Sequence, residues 1–207
     1  MFTFTPESCS RSSRNTVRNH TGIALTLPRI PHAAKLFPGF AQTEVRTSGE
    51  RPSLFFTKGD GPPVLLLHGY PETHVTWHKV APRLAERFSV YVPDLRGYGD
   101  SSRPTTDGDR HLNYSFRAMA LHQIDTMRHF GHEQFLVGAH DRGARVAHRL
   151  CLDFPKSVKK VCLMDIAPTL TMYRQTSQEF ATKGSSLSKR NPCRNISLDS
   201  ILSTIVS

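Results

Sequence analysis

The run VGAHDRGARVAH, Val137 to His148, gathers one acid, two histidines and two arginines where strand-like QFLVGA gives way to helix-like RVAHRLCLDF. Small Ala139 and Gly143 flank Asp141. A small-x-acid-x-small pattern lets the backbone crowd into a strained strand-to-helix turn and sets the middle side chain before the N–H groups of the helix. A carboxylate so placed reads as a nucleophile. The plainer alternative is that Asp141 is the N-cap of helix 142–154. Carboxylate attack on an acyl carbon would give an anhydride, an unhelpful intermediate. Attack on an sp³ carbon bearing a leaving group gives a stable ester, which water then opens at the aspartyl carbonyl. The residue type therefore points to carbon–halogen bonds or epoxides.

Three further features bear on that chemistry. In LLLHGYP, a His-Gly turn after a strand aims the Tyr70 amide at the nucleophile, and with the Arg142 amide it makes an expected oxyanion hole. The alternative is a plain tight turn with a partly buried His68. Arg142 and Arg145 stand at i and i+3, on one face of the first helical turn. Cations there oppose the helix dipole by about 0.3–1 kcal/mol each, so another use is expected: gripping a substrate carboxylate in bidentate fashion. For Arg145 the alternative is an ion pair with a nearby acid. Asp165 closes CLMD and is placed to orient a catalytic histidine, the alternative being a turn or N-cap aspartate before Pro168.

Positioning these groups requires strands that end together. TEVRTS and PSLFFTK are short β-like runs, and Val64–Leu67 is a continuous apolar run of the kind buried on both faces. ETHVTWHKVAPRLAERF reads as a helix with a break at Pro82, followed by a strand over Phe88–Leu95 and a polar loop. Tyr114–Gly131 reads as a helix with its stop at Gly131, then come strand QFLVGA, helix 142–154 and a strand over Ser157–Asp165. This alternation predicts an α/β fold: a three-layer parallel sheet with helices on both faces and its functional residues at the carboxyl ends of the strands. His68–Gly69, Asp94, Asp141 and Asp165 all fall at such ends.

The chain has 207 residues and 38% hydrophobic content, enough for one domain with a core. The formal charge of +10 is concentrated in the ends: residues 1–34 and 174–207 each carry +3, the longer middle only +4. No Lys/Arg stripe interleaved with aromatics suggests a nucleic-acid partner, and no apolar run suggests a membrane partner. The four cysteines form no CxxC pair and suit a reducing compartment. The expected division is a disordered or presequence-like extension over 1–33, a partial catalytic domain over 34–183 and a divergent serine-rich tail over 184–207. A cytoplasmic location is expected, with a mitochondrial one if the first segment is a presequence.

LFPGF, GPPVLLLHGYPETHVTWHKVAPRLAERF, PDLRGYGDSSRP, GAHDRGARVAHRL and LMDIAPTLTMY resemble the α/β-hydrolase superfamily, and within it the haloacetate (fluoroacetate) dehalogenases. The resemblance covers about residues 35–182 and implies a hydrolase needing no metal or organic cofactor, acting on a small molecule. It maps the nucleophile to Asp141, the carboxylate-binding arginines to Arg142 and Arg145, and the supporting acid to Asp165. Epoxide hydrolases share the aspartate but commonly follow it with Trp, where this chain has Arg142.

The sequence also departs from that pattern. The family supplies a water-activating histidine late in the chain, whereas the last of the eleven histidines here is His148, two helical turns past Asp141. His140 adjoins the aspartate but points from the opposite side of the turn. The family's cap and last strands have no counterpart in the serine-rich tail. The expectation is a fold incomplete at the C-terminal end, able to react once with haloacetate but not to turn over. Epoxide hydrolysis, or carboxylate binding without catalysis, are the alternatives.

Overall fold

A computed structural model describes residues 15–18, 24–27, 36–46, 53–104 and 112–166. The chain divides into two units, 1–38 and 39–207. In the first, strands β1 (Asn15–Arg18) and β2 (Ala24–Leu27) pair antiparallel. The rest of segment 1–33 and the whole of 184–207 lie outside the described residues.

The second unit is built on six strands: β3 (Ala41–Val45), β4 (Ser53–Lys58), β5 (Pro63–Leu67), β6 (Ser89–Pro93), β7 (Phe135–His140) and β8 (Val158–Met164). Their order across the sheet is β3-β4-β6-β5-β7-β8. β6, β5, β7 and β8 are parallel, as the alternation of elements predicts. β3 and β4 join antiparallel at the β6 side, so the sheet is mixed. The reason is local: the seven residues between Val45 and Ser53 are too few for the long crossover that a parallel pair of β3 and β4 would need.

Side chains on a strand alternate between faces, and both faces here are covered. Phe55, Leu65, Leu67, Phe135, Val137 and Ala139 are buried together with Met119, Ile124 and Met127 of helix α2 (Phe116–His129) and Ala144, Val146, Ala147 and Leu150 of α3 (Asp141–Asp153). On the opposite face Leu54, Phe56, Val64, Leu66, Val90 and Val92 are equally buried. The His74 ring stacks on Phe56 from this side at a centroid distance of 4.3 Å.

The helix expected over 72–88 is shorter and in two pieces. His74–Trp77 is a 3₁₀ turn and α1 covers only Ala81–Leu84. Pro82 explains the interruption, since without an N–H it fits only the first turn of a helix, where the structure places it. α2 matches its expectation closely. Ser115 caps it by accepting from the Ala118 amide, and Gly131, at φ +83°, ends it. The amides of Gly131 and His132 donate to Arg128 O and Met127 O, the paired bonds of a Schellman stop.

Candidate active site

The carboxyl end of β7 is where the chain is most tightly constrained. Asp141 opens α3 with φ +42°, a left-handed conformation that is uncommon for a residue with a side chain. It is therefore not the N-cap. That position belongs to His140, which makes no side-chain capping bond. The Asp141 carboxylate turns toward β5 instead, where Oδ2 accepts from the Tyr70 amide at 2.9 Å. The expected Tyr70 amide is thus at the aspartate, and the Arg142 amide stands in the first turn of α3, whose N–H groups lack partners within the helix.

Two glycines make this approach feasible. A Cβ on Gly143 would lie 2.5 Å from the carbonyl oxygens of both Leu67 and His68, so α3 can sit over the end of β5 only with hydrogen there. A Cβ on Gly69 would fall 2.8 Å from Asp141 Cβ. Any side chain at either position would push the aspartate off the Tyr70 amide.

Arg142 and Arg145 share the outer face of the first turns of α3, both partly exposed. The Arg142 guanidinium lies 5.5 Å from the Phe116 ring centroid, a cation–π contact that orients its plane. Its Nε is buried with no hydrogen-bond partner among the described residues. Asp165 follows β8, the neighbour of β7, with φ +52° and a side chain 72% exposed. The turn it would form before Pro168 lies outside the described residues.

Asp94 plays another part. It follows β6, one strand beyond β5, and is 1% exposed. Its carboxylate accepts from the His74 amide at 2.8 Å, His74 Nδ1 at 2.9 Å and the Asp100 amide at 3.2 Å. Burial alone would raise its pKa, but the His74 hydrogen bond and the nearby imidazoles hold it below the ordinary value. Gly99 packs on it so closely that a Cβ would lie 2.0 Å from Oδ2. Asp94 thus pins the loop after β6, and that loop delivers Tyr98.

Tyr98 and Glu72 are the residues the sequence reading missed. The Tyr98 ring meets His68 and Tyr70 edge-on, at centroid distances of 5.2 and 6.4 Å. Burial, with Asp141 and Tyr70 nearby, outweighs Arg142 and raises the phenol pKa, keeping it a donor. Glu72 accepts from the Gly69 amide at 2.8 Å and pairs with His140 Nδ1 at 3.1 Å. Glu72 lies three residues past Gly69, and its amide donates back to Gly69 O to close a turn; with glycine rather than Ser or Thr at 69, no capping-box signature marks it in the sequence.

His68 is fully buried, more so than the turn reading expected. Its Nδ1–H donates to Gly69 O at 2.9 Å and its Nε2 accepts from the Leu95 amide at 2.9 Å. With one nitrogen donating and the other accepting, the ring is a neutral tie between the ends of β5 and β6. Burial lowers its pKa against the pull of Asp94. Among the described residues no three His, Cys, Asp or Glu side chains group as a metal site, and no helix is long and apolar enough to cross a membrane.

Known proteins resemble this chain in sequence and in fold. Fluoroacetate dehalogenase from Burkholderia sp is 48% identical over 123 residues, which is 59% of this chain and 40% of that protein. Soluble epoxide hydrolase from Corynebacterium sp. (strain C12) is 38% identical over 56% of this chain and 38% of its own length. The crystal structure of ALR0039 from Nostoc sp PCC 7120, assigned as an alpha/beta hydrolase, superposes with TM-score 0.69 at 57% identity over 72% of this chain and 50% of that one. The chain therefore spans half or less of the length of each of these relatives. The model of the alpha/beta hydrolase fold matches residues 62–183, from the turn before β5 to beyond β8, and the chain belongs to that family.

Proposed function

We propose that this site attacks the halogen-bearing carbon of a small 2-halo acid, in the manner of a haloacetate dehalogenase. The observation that carries the reading is Asp141 at a left-handed strand-to-helix turn, with Oδ2 held by the Tyr70 amide at 2.9 Å. That bond leaves Oδ1 as the attacking atom. Oδ1 forms a bond to the α-carbon, the carbon–halogen bond breaks, and the halide departs with the electron pair. The product is an ester on Asp141. When hydroxide adds to its acyl carbon, charge develops on Oδ2, where the Tyr70 N–H already points. Collapse of that adduct breaks the bond from the acyl carbon to Oδ1, the added hydroxyl's proton passes to the departing oxygen, and the carboxylate is restored as the 2-hydroxy acid leaves.

The substrate carboxylate is assigned to Arg142 and Arg145. The buried Nε of Arg142, with no hydrogen-bond partner among the described residues, supports this, as does the Phe116 contact that fixes its plane. Asp165 takes the supporting role beside the nucleophile. Similarity to an epoxide hydrolase keeps epoxide opening by Asp141 as the second reading. The division into an extension over 1–33, a catalytic domain over 34–183 and a tail over 184–207 belongs to the same proposal.

Fluoroacetate, a fluoroalkane of equal size and a small epoxide, each incubated with the chain, separate these readings. The proposal expects fluoride release or an Asp141 ester with fluoroacetate alone, lost on Arg142→Leu. Reaction with the epoxide in preference to the halo acid would favour the second reading. Fluoroacetate that binds without any bond formed would leave a carboxylate-binding protein.

A further inference from the structure

His140 ends β7 with its ring 2% exposed, and among the described residues the charged groups that act on it, Glu72, Asp141 and Asp165, are all acidic. Glu72, from the turn after β5, meets Nδ1 at 3.1 Å. Asp165, at the end of β8, places Oδ2 3.6 Å from Nε2. Asp141, from the first turn of α3, adds a third negative charge nearby. Nε2 itself is buried with no hydrogen-bond partner among the described residues. A neutral imidazole here could satisfy one carboxylate and would leave the other facing a bare ring nitrogen. An imidazolium donates from both nitrogens and offsets one of three negative charges gathered at adjacent strand ends.

We propose that Glu72 and His140 form an ion-paired positioning unit that holds Asp165 at the end of β8 and neutralises the carboxylates around Asp141. Its role in the reaction rests on Asp141 being the nucleophile. The geometry gives the pair two tasks. Glu72 Oε2 also accepts from the Gly69 amide at 2.8 Å, so the same carboxylate fixes the turn that presents the Tyr70 amide. His140 then transmits that anchor to the far side, across β7 to Asp165. The second task is electrostatic: an anionic halo acid must approach Asp141, and an uncompensated Glu72 and Asp165 would repel it.

Burial would lower the His140 pKa, but the Glu72 hydrogen bond and charge, with Asp141 and Asp165, raise it above its ordinary 6.5. The same bond, with the Gly69 amide, overcomes burial to hold Glu72 below its ordinary 4.5. Both directions agree with a charged pair.

The test titrates the His140 imidazole by NMR in the unreacted chain, alongside the rate of ester formation from fluoroacetate across pH. The wild-type imidazole should titrate above 6.5, and its midpoint should fall in Glu72→Gln and also in Asp165→Asn, whose exposed side chain makes a folding defect a minor concern. Esterification should slow roughly 10- to 100-fold in Glu72→Gln. In His140→Gln the alkaline limb of the pH profile should vanish. An imidazole titrating at or below 6.5, or one that ignores Asp165→Asn, overturns the proposal. So does a Glu72→Gln variant that esterifies at the wild-type rate. If fluoroacetate leaves the wild type unmodified, the reading of Asp141 fails, while the imidazole titration still decides the pair.

Discussion

His68 and His140 close adjacent strands, β5 and β7, and both rings are out of contact with solvent. They are nonetheless pushed toward opposite charge states. At His68 one nitrogen donates to a carbonyl and the other accepts from an amide, so a proton added to the ring would face the Leu95 N–H. At His140 one nitrogen meets the Glu72 carboxylate and the other looks toward Asp165. Burial is shared by the two, and the partner of the second nitrogen decides the outcome. The tie at His68 is a framework feature, while the cluster at His140 borders the residue read as nucleophile.

His68→Ala should break the framework side of the comparison and is expected to have the largest effect. It strands the Leu95 amide without an acceptor and opens a cavity beneath the loop that carries Tyr98. A loss of about 3–5 kcal/mol follows from those two terms together and is measured by urea denaturation.

His122 sharpens the same side. It lies on α2, 3% exposed, and its Nε2 is within 3.1 Å of Ser53 Oγ. Burial, with Arg96 nearby, lowers its pKa to about 4. A histidine depressed in the folded state adds stability that is complete above its ordinary 6.5 and is lost as the pH falls toward 4. That amounts to about 3 kcal/mol at most. His122→Gln should flatten the acid side of a stability-against-pH curve by nearly this amount.

Gly143→Ala probes the join between the two regions. The added Cβ would meet two carbonyl oxygens at 2.5 Å, so α3 must shift away from β5. A cost of about 1–3 kcal/mol in stability is expected, with loss of whatever reactivity Asp141 has.

The smallest effect belongs to Glu72→Gln, and its sign is the informative part. His140, raised, contributes stability that is present below 6.5 and lost as the pH rises through its folded value. Glu72, lowered, contributes stability present above 4.5 and lost as the pH falls through its folded value. The pair is therefore worth most between those two pH values, and a difference curve between wild type and Glu72→Gln should peak there. Across that window His68 and His122 instead add stability as the pH rises.

Much of this was legible in the sequence because it is local. Strand, small residue, acid, small residue and helix follow one another within a few positions around Asp141, and Ser115 and Gly131 bracket α2 in the same way. What the sequence hid depends on contacts between strands. Glu72 reaches His140 only because β5 and β7 pair, and Tyr98 meets His68 and Tyr70 only because Asp94 folds its loop back. Over 72–88 the break at Pro82 was legible, but the apolar spacing hid how short the helical pieces are, His74–Trp77 and Ala81–Leu84. The antiparallel β3–β4 edge left no mark in the alternation that predicted a parallel sheet.

The most direct test of the central claim is peptide mapping after incubation with fluoroacetate in ¹⁸O-labelled water, since fluoroacetate is inert toward the free cysteines. The account predicts that the peptide containing Asp141 carries either a carboxymethyl ester or, where the ester has been hydrolysed, ¹⁸O in the Asp141 carboxylate, and that Asp141→Ala carries neither. An unmodified Asp141 peptide together with fluoride release, or a modification that persists in Asp141→Ala, would contradict it.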